Sequence, residues 1–153
     1  MSDFFIEQVT EKTIPDLFFL LDELAAYEHL DPPDAEAKKR FASDLFQDHP
    51  KLEAYIGRKG TEPIGCVTFF FTYSTFNARS TLFLEDLFVL KEQRGLGYGK
   101  KLFDFCREEA KKRDCCRMDW MVLTWNEPSI QFYEKIGGTR LGWYTYRLEN
   151  DQL

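Results

Sequence analysis

Leu84-Glu85-Asp86-Leu87-Phe88-Val89-Leu90, followed by Arg94-Gly95-Leu96-Gly97-Tyr98-Gly99 and then by Lys100 to Lys112, carries the pattern from which the other elements can be placed. An apolar run with strand character ends, a glycine-rich turn follows, and a helix-forming segment begins. Glycines at every second position let backbone N–H groups approach a ligand with no Cβ in the way. The helix that follows directs its positive end at the same spot. The combination favours a phosphate or pyrophosphate, although a glycine cluster taken alone is more often a plain turn. Lys100 and Lys101 fall in the first helical turn, where cations are disfavoured, and an anionic ligand would relieve that conflict. Glu85 lies just upstream, where it could act on whatever the phosphates anchor. Strand alternation sends Glu85 and Asp86 to opposite faces unless a bulge re-aims the chain.

Outward from this stretch the elements alternate. Phe4 to Val9 reads as a strand. Thr13-Ile14-Pro15-Asp16 reads as a helix start, with a capping threonine, proline in the first turn and an acid at the third position. Ile14, Leu17, Phe18, Leu21, Leu24 and Ala25 recur at helical spacing until Asp31-Pro32-Pro33. Asp34 can cap a second helix with Ala37, Phe41 and Leu45 inward. Strands are expected at 54–58, 63–73 and 81–90, with a turn at 59–62 and a loop at 74–80. In the third helix Leu102, Phe103, Cys106 and Ala110 face inward, and Lys111-Lys112-Arg113 reads as a solvated helix end suited to the dipole. A strand at 118–124, a short helix at 126–136 ended by Gly137-Gly138, and a closing strand at 140–148, single or broken at Gly142, complete the order. There is no linker, repeat or low-complexity tract, so residues 1–153 are expected to form one mixed α/β domain.

The 153 residues suffice for a sizeable core, and 44% hydrophobic content marks a folding sequence. With 26 acidic and 20 basic residues the formal charge is −6, which argues against nucleic acid and is compatible with a cationic small substrate. No apolar run can span a bilayer and no signal peptide is read, so no membrane partner is expected. Cys66, Cys106, Cys115 and Cys116 lack metal or redox spacing and read as reduced thiols of a cytoplasmic protein. His29 and His49 are isolated, and no metal site is expected.

This order and these motifs resemble the GNAT superfamily of acetyl-CoA-dependent N-acetyltransferases. Arg94-Gly95-Leu96-Gly97-Tyr98-Gly99 is similar to its signature Gln/Arg-x-x-Gly-x-Gly/Ala. Within it the chain looks most like the spermidine/spermine (diamine) N-acetyltransferase group. The likeness is carried by Glu23-Leu24-Ala25-Ala26-Tyr27-Glu28, Phe71-Thr72-Tyr73, Leu84 to Val89 and Trp125-Asn126-Glu127-Pro128-Ser129-Ile130-Gln131-Phe132-Tyr133. The resemblance implies a single-domain fold with a mixed central sheet of roughly six to seven strands, splayed between its central strands, and about four helices.

The resemblance also implies roles. Glu85 would take a proton from the amine, directly or through water, and Tyr133 would be the acid, a phenol with a reference pKa of about 10. Backbone N–H groups near Leu87 could stabilise charge on the carbonyl oxygen. Leu87 and Val89 would pair with the pantetheine arm of acetyl-CoA as an added strand would. Arg94, Gly95, Gly97, Gly99 and Lys100 would hold the pyrophosphate. Asn126 would bond the pantetheine, and Lys135 falls where related chains carry a basic residue near the phosphates. Tyr27, Glu28, Glu85 and Asp86 would form an acidic, aromatic-lined site for a small cationic amine. Homodimers are expected, with Trp143, Tyr144 and Tyr146 at the interface. One departure bears on substrate. Polyamine acetylases of the group carry Asp-Pro-Trp after Phe-Thr-Tyr, whereas this chain has Ser74-Thr75-Phe76. That leaves room for a shorter amine such as lysine, a thia-analogue of lysine or a diamine. Protein or peptide lysine as acceptor, a non-catalytic CoA-binding sensor and an ATP-binding module are the alternatives. The last lacks a Gly-Lys-Ser/Thr ending.

Overall fold

In the computed structural model, which describes residues 3–153, the chain divides into two units, one ending at Met121 and the other Val122–Leu153. The first holds β1 (Phe4–Gln8), α1 (Ile14–Tyr27), α2 (Ala35–Phe46), β2 (Glu53–Lys59), β3 (Glu62–Ser74), β4 (Arg79–Val89), α3 (Tyr98–Lys112) and β5 (Arg117–Trp120). The second holds α4 (Glu127–Lys135).

The five strands pair in chain order. β1 to β4 run antiparallel to their neighbours, and β5 joins β4 in parallel after the crossover through α3. Period-two alternation gives the sheet two apolar faces. On one, Ala54, Ile56, Cys66 and Phe88 pack beneath Leu17 and Leu20 of α1 and Leu45 of α2. The other face lies under α3, whose Leu102, Phe103, Cys106 and Ala110 are all buried as their spacing predicts. Gly57 and Gly65 sit directly opposite each other on β2 and β3. A Cβ on Gly65 would stand 2.6 Å from the Phe88 carbonyl oxygen and 3.0 Å from Leu102 Cδ1. The lack of a side chain there is what lets α3 settle onto the sheet.

Helix ends show where local chemistry prevailed and where it did not. Asp34 caps α2, its Oδ1 accepting from Ala37 N at 2.8 Å. Thr13 does not cap α1; its Oγ1 accepts the Thr10 N–H at 2.9 Å and closes the preceding turn. Asp16, expected to serve the same helix start, instead pairs with Arg58 on β2 at 2.6 Å, and Glu7 is that arginine's second carboxylate. Arg113, read as part of a solvated helix end, is bound to Glu53 and Glu109 and lies over the Phe71 ring. Glu53 is held below the usual carboxylate range, chiefly by its hydrogen bond from Arg113.

The expectation of six to seven strands is corrected: among the described residues the sheet has five. The missing ladder is the expected closing strand. Residues 140–148 take no regular secondary structure, and Trp143 and Tyr146 are 83% and 91% exposed. Extended chain becomes a strand only where another strand accepts its hydrogen bonds, and no ladder is formed there. β5 is also shorter than expected, ending at Trp120 rather than continuing to residue 124.

Candidate active site

The β3–β4 ladder contains one irregularity, and it falls at Glu85. Thr68 pairs with Asp86 and Phe69 with Leu84, so Glu85 is an extra residue with no opposite number. Such a bulge breaks the alternation of faces. Asp86 points to the α1 side with Phe88, where the Thr68 hydroxyl donates to its carboxylate. Glu85 is exposed beside it. Glu28, one residue past the end of α1, completes a group of three carboxylates that feel one another. Burial, and then the charge of Glu85, raises the Glu28 carboxyl above its ordinary value. Asp86 is pushed up to about 6, first by burial and then by Glu85 and Glu28, with the Thr68 hydroxyl acting the other way. Cys66, deep in the sheet near Asp86, has its thiol pushed up by the same burial. The acidic trio expected for a cationic amine is therefore brought together. Thr68, which sequence reasoning did not single out, is part of it; only the cross-strand register reveals that partner.

Beyond the bulge one edge of β4 has no partner strand among the described residues. Its last rung with β5 is Leu84 to Trp120, and the strand continues five residues further to Val89. Leu90 N–H donates to the Ile64 carbonyl on β3 at 2.9 Å. By alternation, the N–H and C=O groups of Val89 and Leu87 face the other way, toward that edge. Leu87 and Val89, the two expected backbone partners, thus lie where β4 has no paired strand on that side among the described residues.

A 3-10 turn at Lys91–Gln93 leads from β4 into the glycine turn. Gly95 and Gly97 have φ of +77° and +85°, and nothing lies within 4 Å of where a Cβ would stand on either. Glycine is needed here for backbone conformation, and the space beside both is open. Gly97 caps α3, and Gly99 is the second residue of that helix. The first N–H groups of a helix have no intrahelical acceptors, so this turn and helix start suit an anion such as pyrophosphate. Lys100 and Lys101 already have partners in the chain. Lys100 bridges to Asp104, and Lys101 lies 5.3 Å from the Phe4 ring centroid. The expected conflict with the helix dipole is met locally.

Arg94 and Tyr27 occupy places that their residue types did not foretell. The Arg94 Nε donates to the Val89 carbonyl at 2.8 Å, and its guanidinium lies 4.6 Å from the Tyr27 ring centroid. Tyr27 is half-buried against the α1 core.

In the second unit Asn126, Tyr133 and Lys135 share one short helix. Asn126 is buried and caps α4, its Oδ1 accepting from Ser129 N at 3.4 Å. Tyr133 is half-buried with its ring 5.3 Å from that of Phe132, and Lys135 is exposed in the last turn. Gly137, at φ +96°, ends the helix, and the Gly138 N–H donates to the Tyr133 carbonyl. Among the described residues no group of three His, Cys, Asp or Glu is arranged to hold a metal ion. No helix among them is long and apolar enough to cross a membrane.

Residues 17–138 match the Acetyltransferase (GNAT) family. A thialysine N-epsilon-acetyltransferase of Bos taurus is 30% identical over 165 residues, covering 100% of this chain and 96% of its own. An L-ornithine N5-acetyltransferase of Arabidopsis thaliana is 33% identical over 113 residues, covering 72% of this chain and 50% of its own. Among solved structures, an aminoglycoside N-acetyltransferase in complex with CoA shares the fold, with a TM-score of 0.83 at 18% identity over 98% of this chain and 97% of that one.

Proposed function

The chain belongs to the GNAT acetyltransferase family, and on that premise we propose that it moves an acetyl group from acetyl-CoA directly to the primary amine of a small acceptor carrying at least one further charge or polar group, of the diamine or lysine type. Residues 1–153 are taken as one acetyltransferase domain. The observation that carries the reading is the bulge at Glu85, which sets Glu85, Asp86 and Glu28 side by side next to the open edge of β4. Relatives named for thialysine and ornithine, two short diamino acids, support an acceptor shorter than a polyamine.

Acetyl-CoA supplies an acetyl group activated as a thioester. Leu87 and Val89 would hold its pantetheine by main-chain hydrogen bonds, and the family resemblance gives Asn126 a part in bonding it as well. Gly95, Gly97, Gly99 and Lys100 would surround the pyrophosphate and Lys135 would add positive charge near the phosphates, while the Arg94 side chain, also expected there, turns back to the Val89 carbonyl and the Tyr27 ring. The open space beside Gly95 and Gly97 fits such a group. Asp86 and Glu28 attract the cationic acceptor, with Tyr27 beside them. An alkyl amine is mostly protonated at neutral pH, so Glu85 takes its proton, directly or through water, before it can attack. An N–H near Leu87 stabilises charge developing on the carbonyl oxygen. Tyr133 returns a proton to the departing sulfur.

The test is a panel of initial rates with acetyl-CoA and putrescine, spermidine, spermine, lysine, thialysine, ornithine and a lysine peptide. The reading expects the short diamines or diamino acids to lead. A preference for the peptide would move the acceptor to protein lysine. Acetyl-CoA binding with no transfer to any amine would leave only a CoA-binding sensor.

We further propose a cytoplasmic homodimer. Four free thiols suit a reducing compartment. The exposed Trp143, Tyr144 and Tyr146 supply an apolar surface that a second copy could cover.

A further inference from the structure

Arg94 stands at the head of the glycine turn, yet its side chain is directed back into the protein. Nε donates to the Val89 carbonyl, the guanidinium carbon lies 4.6 Å from the Tyr27 ring centroid, and the Phe88 ring centroid is 5.4 Å away. Its own backbone N–H donates to Lys91 O at 3.3 Å. Three elements meet at this one side chain: the last residue of α1, the last residue of β4, and the residue that opens the turn. Each contact touches something the site uses. The Val89 carbonyl is on the open edge of β4. Tyr27 directly precedes Glu28, whose carboxylate belongs to the acidic trio. Arginine suits the place because its planar fork can give one N–H to a carbonyl while its face rests on a ring. A lysine offers a point charge and cannot do both from one position.

We propose that Arg94 is a positioning residue that ties α1, through Tyr27, to the open edge of β4, so that the acceptor side and the donor side of the site are held in one register. Which ligands occupy the two sides rests on the acetyl-transfer reading above. The tie itself concerns only residues of this chain. It gives Tyr27 a role as the platform for Arg94.

Acetyl-pantetheine, which lacks the pyrophosphate and nucleotide of acetyl-CoA, separates this role from that of a phosphate ligand. Arg94→Met and Arg94→Lys are expected to lower kcat/KM about tenfold with either donor. Tyr27→Leu should do the same, while Tyr27→Phe, which keeps the ring beneath Arg94, should exchange its amides from Val89 to Leu96 at the wild-type rate. The Arg94→Met/Tyr27→Leu double variant should be no worse than either single one, because both remove the same contact. A defect in Arg94→Met that disappears with acetyl-pantetheine, or that multiplies with the Tyr27→Leu defect, would overturn the proposal. Hydrogen exchange provides a readout free of turnover. Tyr27→Leu should speed amide exchange from Val89 to Leu96, and unchanged exchange there would also overturn the tie. A wild-type protein inactive on every amine would instead sink the acetyl-transfer reading, and the exchange result would still decide the tie.

Discussion

At Glu85 one unpaired residue changes what two neighbouring carboxylates can do together. In a regular strand they would face opposite sides of the sheet; the bulge lets both serve the side where Glu28 ends α1. Glu85→Gln, which keeps size and polarity but cannot take a proton, should lower kcat by about 100-fold or more while leaving acetyl-CoA affinity unchanged. An undiminished kcat would remove Glu85 as the base. Asp86 carries a stability signature as well. Its folded carboxyl titrates at about 6, above the 3.8 of an ordinary aspartate. A raised folded pKa contributes stability that is fully present below the unfolded value and is lost as pH rises through the folded one. Asp86→Asn should therefore melt higher than wild type near neutral pH and match it at about pH 4. In the same window the acceptor KM of wild type should rise as pH falls through about 6, because Asp86 loses charge. A KM flat across that range, with rates otherwise intact, would exclude Asp86 from amine binding.

At the scale of elements, most of the fold was legible because the signals were local. Helical spacing marked α1, α2 and α3, and a glycine turn between strand and helix marked the β4–α3 junction. Asp34 was readable as a cap because a cap needs only its own helix. Asp34→Ala should cost about 1 kcal/mol of stability, measured by urea titration. Signals that depend on a distant partner were not legible. Thr13 and Asp16 have the residue types of a helix start, yet a turn and Arg58 claimed them. The bulge could be named as a condition but not located, since it is a property of the register between β3 and β4. Gly65 belongs to the same class, being required by a backbone oxygen 23 residues away in sequence, Phe88 O, and by Leu102 on α3. Gly65→Ala should destabilise by about 1–3 kcal/mol, because the nearest obstacle is main chain and cannot rotate aside. A loss smaller than a few tenths would show that α3 does not rest on that spot.

For the molecule as a whole, the acetyl-transfer chemistry was readable from short motifs, while the closing segment was not. Residues 140–148 have the aromatic composition of a strand in Trp143, Tyr144 and Tyr146, but composition cannot supply a partner for the ladder. If a second copy covers that segment, sedimentation should give about twice the 18.1 kDa chain mass, and Trp143→Glu with Tyr146→Glu should restore the monomer. A monomeric wild type would refute the dimer without touching the chemistry. The most direct test of the central claim is a comparison of wild type and Tyr133→Phe with acetyl-CoA and a short diamine, measuring both turnover and acetyl-CoA affinity. Acid catalysis by Tyr133 predicts a turnover reduced about 100-fold or more with affinity within about twofold. Turnover equal to wild type would contradict it.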